Sequence, residues 1–357
     1  MRDEIYYLAK FVSFRTETQD KPELKKCAQY LSSFFESKNM HTQILTYDGY
    51  PNVLATSQKT KKPKILLQAH MDVVPAKPEQ YELKDQDGKL YGRGVFDMKF
   101  AVASYMMLLD MLGDDTEKHD FGIMISFDEE IGGLNGVRAT LQDGYSADVA
   151  FLPDSGKNWT LENSAMGVWF VSLSKKGRNA HGSLPEKGIN SAEILAQALA
   201  KVLSIRKEFS PDDLTVTLTV FNSGKTINQV PDYAEAILDI RYRNKTILAE
   251  IDNKIGEIVN EFKVDKSTHM LGDCLEVSAD DPMVQQFTHI AEDVLGRKIK
   301  TGHSKGSTDG RYFCSQNIPC IVIQPNGGGR HSDEEWIDKK GMQDLTRIVH
   351  KFITENC

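Results

Sequence analysis

Four apolar runs along this chain each lead into polar side chains of a kind that binds metal or carries protons. Residues 64–69 run into His70-Met71-Asp72, residues 121–127 into Asp128-Glu129-Glu130, and residues 148–152 into Pro153-Asp154. The fourth, residues 319–324, runs into a Gly-rich turn that ends at His331. Each run is short and bounded by turn residues, the pattern of strands covered on both faces. In open α/β sheets the ligand crevice lies beyond the carboxyl ends of the strands, so these polar groups are predicted to share one crevice. Between the runs, residues 4–14 and 23–37 carry apolar side chains at helical spacing, and short strands are expected near 41–46 and 52–56. Residues 98–109 predict a helix that is apolar nearly all round, with Asp97 as its N-cap. Strands separated by helices are the signature of an α/β domain.

The pattern changes near residue 163. A strand over 165–174, a helix over 190–205, alternating strands over 214–221 and 234–243, a helix over 246–262 and a strand over 264–271 follow in turn. That order, β-α-β-β-α-β, is ferredoxin-like. The earlier style then resumes with a helix over 282–295, the strand ending at 324 and a closing helix over 340–354. The predicted organisation is a catalytic domain of residues 1–162 and 273–357, interrupted by an inserted domain of residues 163–272, a length that suits an independent unit.

Charge narrows the class. With 43 Lys and Arg against 51 Asp and Glu the net charge is −8, and no basic block stands out, which excludes nucleic acid as the main partner. The first residues, Met1-Arg2-Asp3-Glu4-Ile5, carry charge where a signal peptide needs an apolar core, and no stretch approaches about 18 uninterrupted apolar residues. No membrane association is expected. The 5 cysteines are odd in number, scattered and without a C-x-x-C, and so read as reduced thiols of a cytoplasmic protein.

Each polar cluster alone has an ordinary structural reading; their conjunction at matching strand ends points to chemistry. His70 and Asp72, two apart in extended chain, would point the same way, and a ligating imidazole commonly gives its other N–H to a carboxylate. Asp97, behind Gly92-Arg93-Gly94, offers a carboxylate that can bridge two cations. Three successive carboxylates at 128–130 are costly without a cation; one can ligate while a neighbour takes a proton from water. Asp154 and His331 complete a donor set of two His and three or four carboxylates, suited to two zinc, cobalt or manganese ions. A silent, metal-stabilised binding protein is the non-enzyme alternative, but a structural site has no use for a spare carboxylate beside its ligands. The segment 302–308 lacks the G-K-[ST] ending of a phosphate loop, and no G-x-S-x-G elbow is present.

His70-Met71-Asp72-Val73-Val74-Pro75, Gly92-Arg93-Gly94 with Asp97-Met98-Lys99, Glu129-Glu130 before Gly132-Gly133, and the late His331 together resemble the co-catalytic dizinc exopeptidase and deacylase family. That family includes succinyl-diaminopimelate desuccinylase, acetylornithine deacetylase, aminoacylase and glutamate carboxypeptidases. The resemblance spans the chain and implies a zinc-exopeptidase-like domain with a mixed, largely parallel sheet, plus an inserted ferredoxin-like dimerisation or lid domain. It implies two zinc ions, one held by His70, Asp97 and Asp154 and the other by Asp97, Glu130 and His331, with Glu129 as general base and Asp72 behind His70. It further implies a cis peptide between Asp97 and Met98, and an oxyanion contact from His181 that often reaches across a homodimer. Asn228, Arg241, Gly306 and Ser307 match substrate-binding positions. The implied reaction is hydrolysis of an amide bond in a small N-acyl amino acid or short peptide with a free carboxylate. A biosynthetic deacylase is the alternative within the class. Three departures bear on substrate: Gly182 after His181, Asp154 where desuccinylases commonly have Glu, and the run 326–330 before His331.

Overall fold

The four apolar runs form neighbouring strands of a nine-stranded mixed sheet in a computed structural model that describes residues 3–357. Ile65–His70, Phe121–Ser126, Val149–Leu152 and Cys320–Val322 are mutually parallel, in the spatial order 121–126, 65–70, 149–152, 320–322. Every residue on them is buried, because helices cover the sheet and leave no solvent face. The register pairs His70 with Ser126 and Leu152 with Val322, so the carboxyl ends of all four emerge at one edge. Tyr50–Thr56 and His41–Tyr47 extend the sheet antiparallel on one side, and Thr160–Ala165 pairs antiparallel on the other.

The helices Glu4–Ser13, Lys99–Leu112, Lys339–Asn356 and Pro282–Leu295 pack in sequence, each on the next. Phe287 sits between Phe151 and Phe352 with ring centroids 5.1 and 5.2 Å apart, tying strand, helix and closing helix into one core. Lys99–Leu112 is almost wholly buried, as its all-round apolar pattern requires. Its cap differs from expectation: the helix starts at Lys99 behind Met98, which makes no side-chain cap bond, and Asp97 is not its N-cap. The Asp97 carboxylate is instead turned toward two histidines, and the Asp97–Met98 peptide is cis. The last parallel strand also stops at Val322, two residues short of the predicted end. Gln324 there spends its side-chain amide on the carbonyls of Phe96 and Pro153, at 3.4 and 3.5 Å.

A smaller sheet has no counterpart in the hydrophobic pattern. Lys84–Gln86, Lys89–Tyr91, Trp336–Asp338 and Gly327–Gly328 form four short antiparallel strands, with Trp336 opposite Tyr91 and Ile337 opposite Leu90. It brings the loop after Tyr91 beside the loop before Trp336.

The chain divides into two compact units, one of residues 1–164, 276–304 and 308–357, the other of residues 165–275 with Lys305–Ser307. In the second unit Leu214–Ser223, Tyr233–Tyr242, Gly167–Lys176 and Asp265–Gly272 form, in that spatial order, an antiparallel sheet. Helices Ser191–Ile205 and Lys245–Phe262 share a core with it. Strict alternation along Tyr233–Tyr242 buries Ala234, Ala236, Leu238 and Ile240 in that core.

Candidate metal centre

His70 is the last residue of its strand and has no exposed surface. Its Nδ1 lies 3.1 Å from the Asp72 carbonyl oxygen and 3.5 Å from Asp72 Oδ1, which leaves Nε2 to face outward from the sheet end. Nε2 is 3.1 Å from Asp97 Oδ1, 3.9 Å from Asp154 Oδ1 and 4.0 Å from Glu129 Oε2. The second Asp97 oxygen lies 3.2 Å from His331 Nε2, and that nitrogen is 3.0 Å from Glu130 Oε2. Two groups result: His70, Asp97 and Asp154 in one, and Asp97, Glu130 and His331 in the other. Within each, the donor atoms all lie within 4.8 Å of one another. Asp97 belongs to both, one oxygen to each. The first group is fully buried, whereas the His331 side chain is 53% exposed, so the pair opens to solvent on the His331 side.

The Asp72 carboxylate has a wider task than orienting His70. It is completely buried and accepts hydrogen bonds from the Thr18 hydroxyl at 2.9 Å and from the backbone N–H groups of Glu129 and Glu130, both at 3.2 Å. It therefore holds the turn that carries those two glutamates. Asp128, the third acid of that run, faces away and accepts from the Asn135 N–H at 2.7 Å. Gly133 closes the turn at φ +66°, and a Cβ there would meet Asp309 Oδ1 at 2.1 Å. Arg311 and Tyr312 brace it from the other side through the Gly132 carbonyl, at 2.8 and 2.6 Å.

Glu335, which sequence reasoning missed, is 1% exposed and takes four hydrogen bonds from the 93–97 loop. Arg330, also missed, points its guanidinium at the same cluster: Nη2 is 3.3 Å from Asp154 Oδ1 and 3.1 Å from Gln324 Oε1, and Nη1 is 3.7 Å from Asp97 Oδ2. Neither sits at the end of an apolar run. Their one sequence signal is nearness to His331, Arg330 directly before it and Glu335 four residues after.

The buried acids and bases of the cavity shift one another strongly. Burial, reinforced by Asp154, pushes the Glu129 carboxyl well above its usual range. Burial raises Asp154 to about 7. Burial works against a charged His70, but its bonds to Asp72 and Asp97 outweigh that and raise it well above the usual imidazole value. Asp97 and then Glu130 raise His331 to about 10. Burial works against Asp97 as an anion, yet Arg330, His331 and His70 hold its carboxyl well below the usual range. Four carboxylates (Asp97, Glu129, Glu130, Asp154) face two imidazoles and one guanidinium, and divalent cations bound between them would take the place of the protons that the raised imidazoles and carboxyls otherwise hold. The donor types and the shared carboxylate fit two such ions.

Residues 66–355 match the profile described as peptidase family M20/M25/M40. The chain belongs to that family. It is accordingly a metal-dependent hydrolase. Among its relatives, the succinyl-diaminopimelate desuccinylase of Rickettsia felis is 25% identical over 383 residues, spanning 98% of this chain and 99% of that protein. A probable succinyl-diaminopimelate desuccinylase of Staphylococcus epidermidis is 24% identical over 385 residues, spanning 95% and 94%. The fold is shared with solved M20-type structures. A tripeptidase of Staphylococcus aureus superposes with a TM-score of 0.82 at 19% identity, covering 99% of this chain and 97% of that one. An M20 family metallo-carboxypeptidase of Sulfolobus solfataricus gives 0.81 at 16% identity, covering 99% of both.

The remaining candidates lie in the second unit. His181 is exposed, and its Nδ1 is 2.7 Å from the Ser183 hydroxyl. A two-residue ladder pairs it with Gln229, and the Gly182 N–H donates to the Asn228 carbonyl at 2.7 Å, so His181 and Asn228 sit together on one shallow groove with Thr226. Arg241 is forked onto Asp239, Nε to Oδ1 at 2.7 Å and Nη2 to Oδ2 at 3.1 Å. Gly306 and Ser307 fall in the short segment grouped with this unit, whose Lys305 pairs with Asp212 at 2.8 Å.

Proposed function

We propose that this chain hydrolyses the amide bond of a small N-acyl amino acid or short peptide bearing a free carboxylate, with two zinc ions as cofactors. The observation that carries the reading is Asp97, whose two oxygens lie 3.1 Å from His70 Nε2 and 3.2 Å from His331 Nε2. One carboxylate addressing two donor groups is what a two-metal site needs, and a structural zinc site does not need it. His70, Asp97 and Asp154 would hold one ion, and Asp97, Glu130 and His331 the other. When bound, the ions supply Lewis acidity that polarises the scissile carbonyl and acidifies the attacking water.

Glu129 is the general base. Its carboxylate stands 4.0 Å from His70 Nε2 and belongs to neither donor group, which supports the role of taking the water's proton and returning it to the leaving amine. Asp72 holds the backbone on which Glu129 rides. His181 is assigned the oxyanion contact, reaching a second copy's site in a homodimer formed through the inserted domain. Asn228, Gly306 and Ser307 are assigned to substrate. Arg241 is assigned to the substrate carboxylate, which it would take in exchange for Asp239, since a guanidinium fork fits either carboxylate bidentately.

The names of the relatives favour a second reading within the class, a deacylase acting on a succinyl- or acetyl-linked amine. A screen of acetyl-, succinyl- and aminoacyl-linked amides against zinc- or cobalt-loaded protein separates the two. Metal analysis should find two equivalents per chain, and chelation should abolish turnover. Hydrolysis that survives thorough chelation refutes the proposal. We assign the protein to the cytoplasm on its scattered cysteines without a C-x-x-C. Among the described residues no helix is long and apolar enough to cross a membrane.

A further inference from the structure

We infer that Glu335 is the positioning residue for Asp97, and through it for both metal groups at once. The inference rests on reading Asp97 as the shared ligand. Glu335 Oε1 accepts the backbone N–H groups of Phe96 and Asp97 at 2.9 and 3.0 Å. Its Oε2 accepts the Gly94 N–H and Arg93 Nη1, both at 2.9 Å. The Gly92 N–H donates to the Glu335 carbonyl at 3.3 Å. The loop that delivers Asp97 is thus wrapped around one buried side chain.

A mere counter-ion for Arg93 would need one of these bonds. Three donors from the loop backbone, at Gly94, Phe96 and Asp97, do something else: they set the direction in which the chain enters Asp97. This segment precedes the helix at Lys99 and lies in no strand. It is also tied by the Arg93 N–H to the Gln80 carbonyl at 2.7 Å, the Lys99 N–H to the Gly94 carbonyl at 2.8 Å and the Gln324 amide to the Phe96 carbonyl at 3.4 Å, none of which reaches Asp97. Charge-assisted bonds to backbone N–H groups are the strong kind, and burial of Glu335 strengthens them further.

Glu335 also lies four residues after His331 and next to Trp336, which the small sheet pairs with Tyr91. The chain around His331 is locally tied: the Ser332 N–H and hydroxyl both reach the Gly329 carbonyl, at 3.0 and 2.8 Å, closing the turn through His331, and the Glu334 N–H donates to the Ser332 hydroxyl oxygen at 3.2 Å. One side chain therefore ties the loop bearing Asp97 to the loop bearing His331. Asp72 plays the matching part for Glu129 and Glu130, again through backbone N–H groups. Neither carboxylate belongs to the two donor groups.

The consequence is specific. Loss of an outer donor such as Asp154 or Glu130 weakens the group to which it belongs, whereas loss of Glu335 moves both Asp97 oxygens and weakens the two groups together. Metal-stripped Glu335→Gln, which keeps the volume but turns one acceptor into a donor facing an N–H, is titrated calorimetrically with zinc and, in parallel, with cobalt while its d–d absorption is followed. The expected result is a folded protein by circular dichroism that binds both equivalents roughly tenfold or more weakly, the usual order for a lost outer partner. Asp344→Asn serves as the structural comparator. It alters another buried carboxylate, one held by Lys340 in the closing helix, and should lower the melting temperature without moving either affinity.

Wild-type affinity at both equivalents in Glu335→Gln, or weakening of one alone, overturns the inference. Should Glu335→Gln not fold, Glu335→Asp is measured in the same way. It keeps the charge on a shorter arm and should weaken both equivalents by a smaller factor; unchanged binding there overturns the inference too. A wild-type chain that binds one cation only removes the shared ligand and the inference with it. Failure to hydrolyse any amide bears on the proposed reaction and leaves this titration standing.

Discussion

Removing the Asp72 carboxylate is the sharpest test of how the metal centre is held. The side chain has no exposed surface and receives three hydrogen bonds, from the Thr18 hydroxyl and the N–H groups of Glu129 and Glu130, with His70 Nδ1 a further 3.5 Å away. Asp72→Ala leaves two backbone donors and one hydroxyl without that acceptor. Each such orphan costs on the order of 1–3 kcal/mol. Water entering the space of the deleted carboxylate recovers part of this, so the net loss should be about 3–5 kcal/mol, in the upper range for a single substitution. Asp72→Asn keeps the volume and one acceptor, and should cost about 1–2 kcal/mol because one donor then faces an amide NH₂. Activity should fall with stability, by roughly 10- to 100-fold, because the turn carrying the proposed base and its neighbour loses its tether. Scanning calorimetry gives the stability order, and kcat on reloaded protein gives the functional one. If Asp72→Ala melts within about 2 °C of wild type and turns over at a similar rate, the carboxylate does not hold the turn.

Glu129→Gln should keep its metal and its fold while kcat falls by roughly 10²–10⁴, the range for a lost general base; a variant that loses metal yet regains full kcat on reloading contradicts the role. Mixing inactive Glu129→Ala with inactive His181→Ala should restore part of the activity after subunit exchange if His181 works in a partner's site, and an exchanged mixture that stays dead excludes this. Lys99 is fully buried, its amine donates to the Phe14 carbonyl at 2.9 Å, and burial lowers its pKa from 10.5 to about 8. Between those values the unfolded chain binds more protons than the folded one, so this group's contribution to stability rises with pH across the window. Lys99→Met should remove that rise, on the order of 3 kcal/mol, and parallel stability–pH curves for the two proteins between pH 8 and 10.5 would refute it.

The local rules of strand and helix account for most of what could be read along the chain. A strand covered on both faces must be apolar throughout, so residues near 65–70, 121–126, 149–152 and 320–322 announced themselves, and so did the polar groups that follow them. The alternating strands and amphipathic helices of the second unit were legible for the same reason. Asp97 was placed where it belongs in the chain but given the wrong local task. A carboxylate ahead of an apolar helix has the same sequence signature whether it caps that helix or turns away, and the helix here begins behind Met98 without it.

Sequence alone determined the α/β character of the chain, the parallel strands and the cluster of donors at their carboxyl ends, because those follow from which side chains must leave water and at what period. The tertiary structure decided what holds the donors in place. That Glu335 clamps the 93–97 loop, that Asp72 tethers the turn at 129–130, and that Arg330 lies between Asp97 and Asp154 depends on side chains far apart in the chain meeting through the small sheet and the strand ends. Such contacts have no period and no composition. They are set by which loops the packed core leaves side by side, and a buried charge becomes tolerable only once the partners that satisfy it have been brought there.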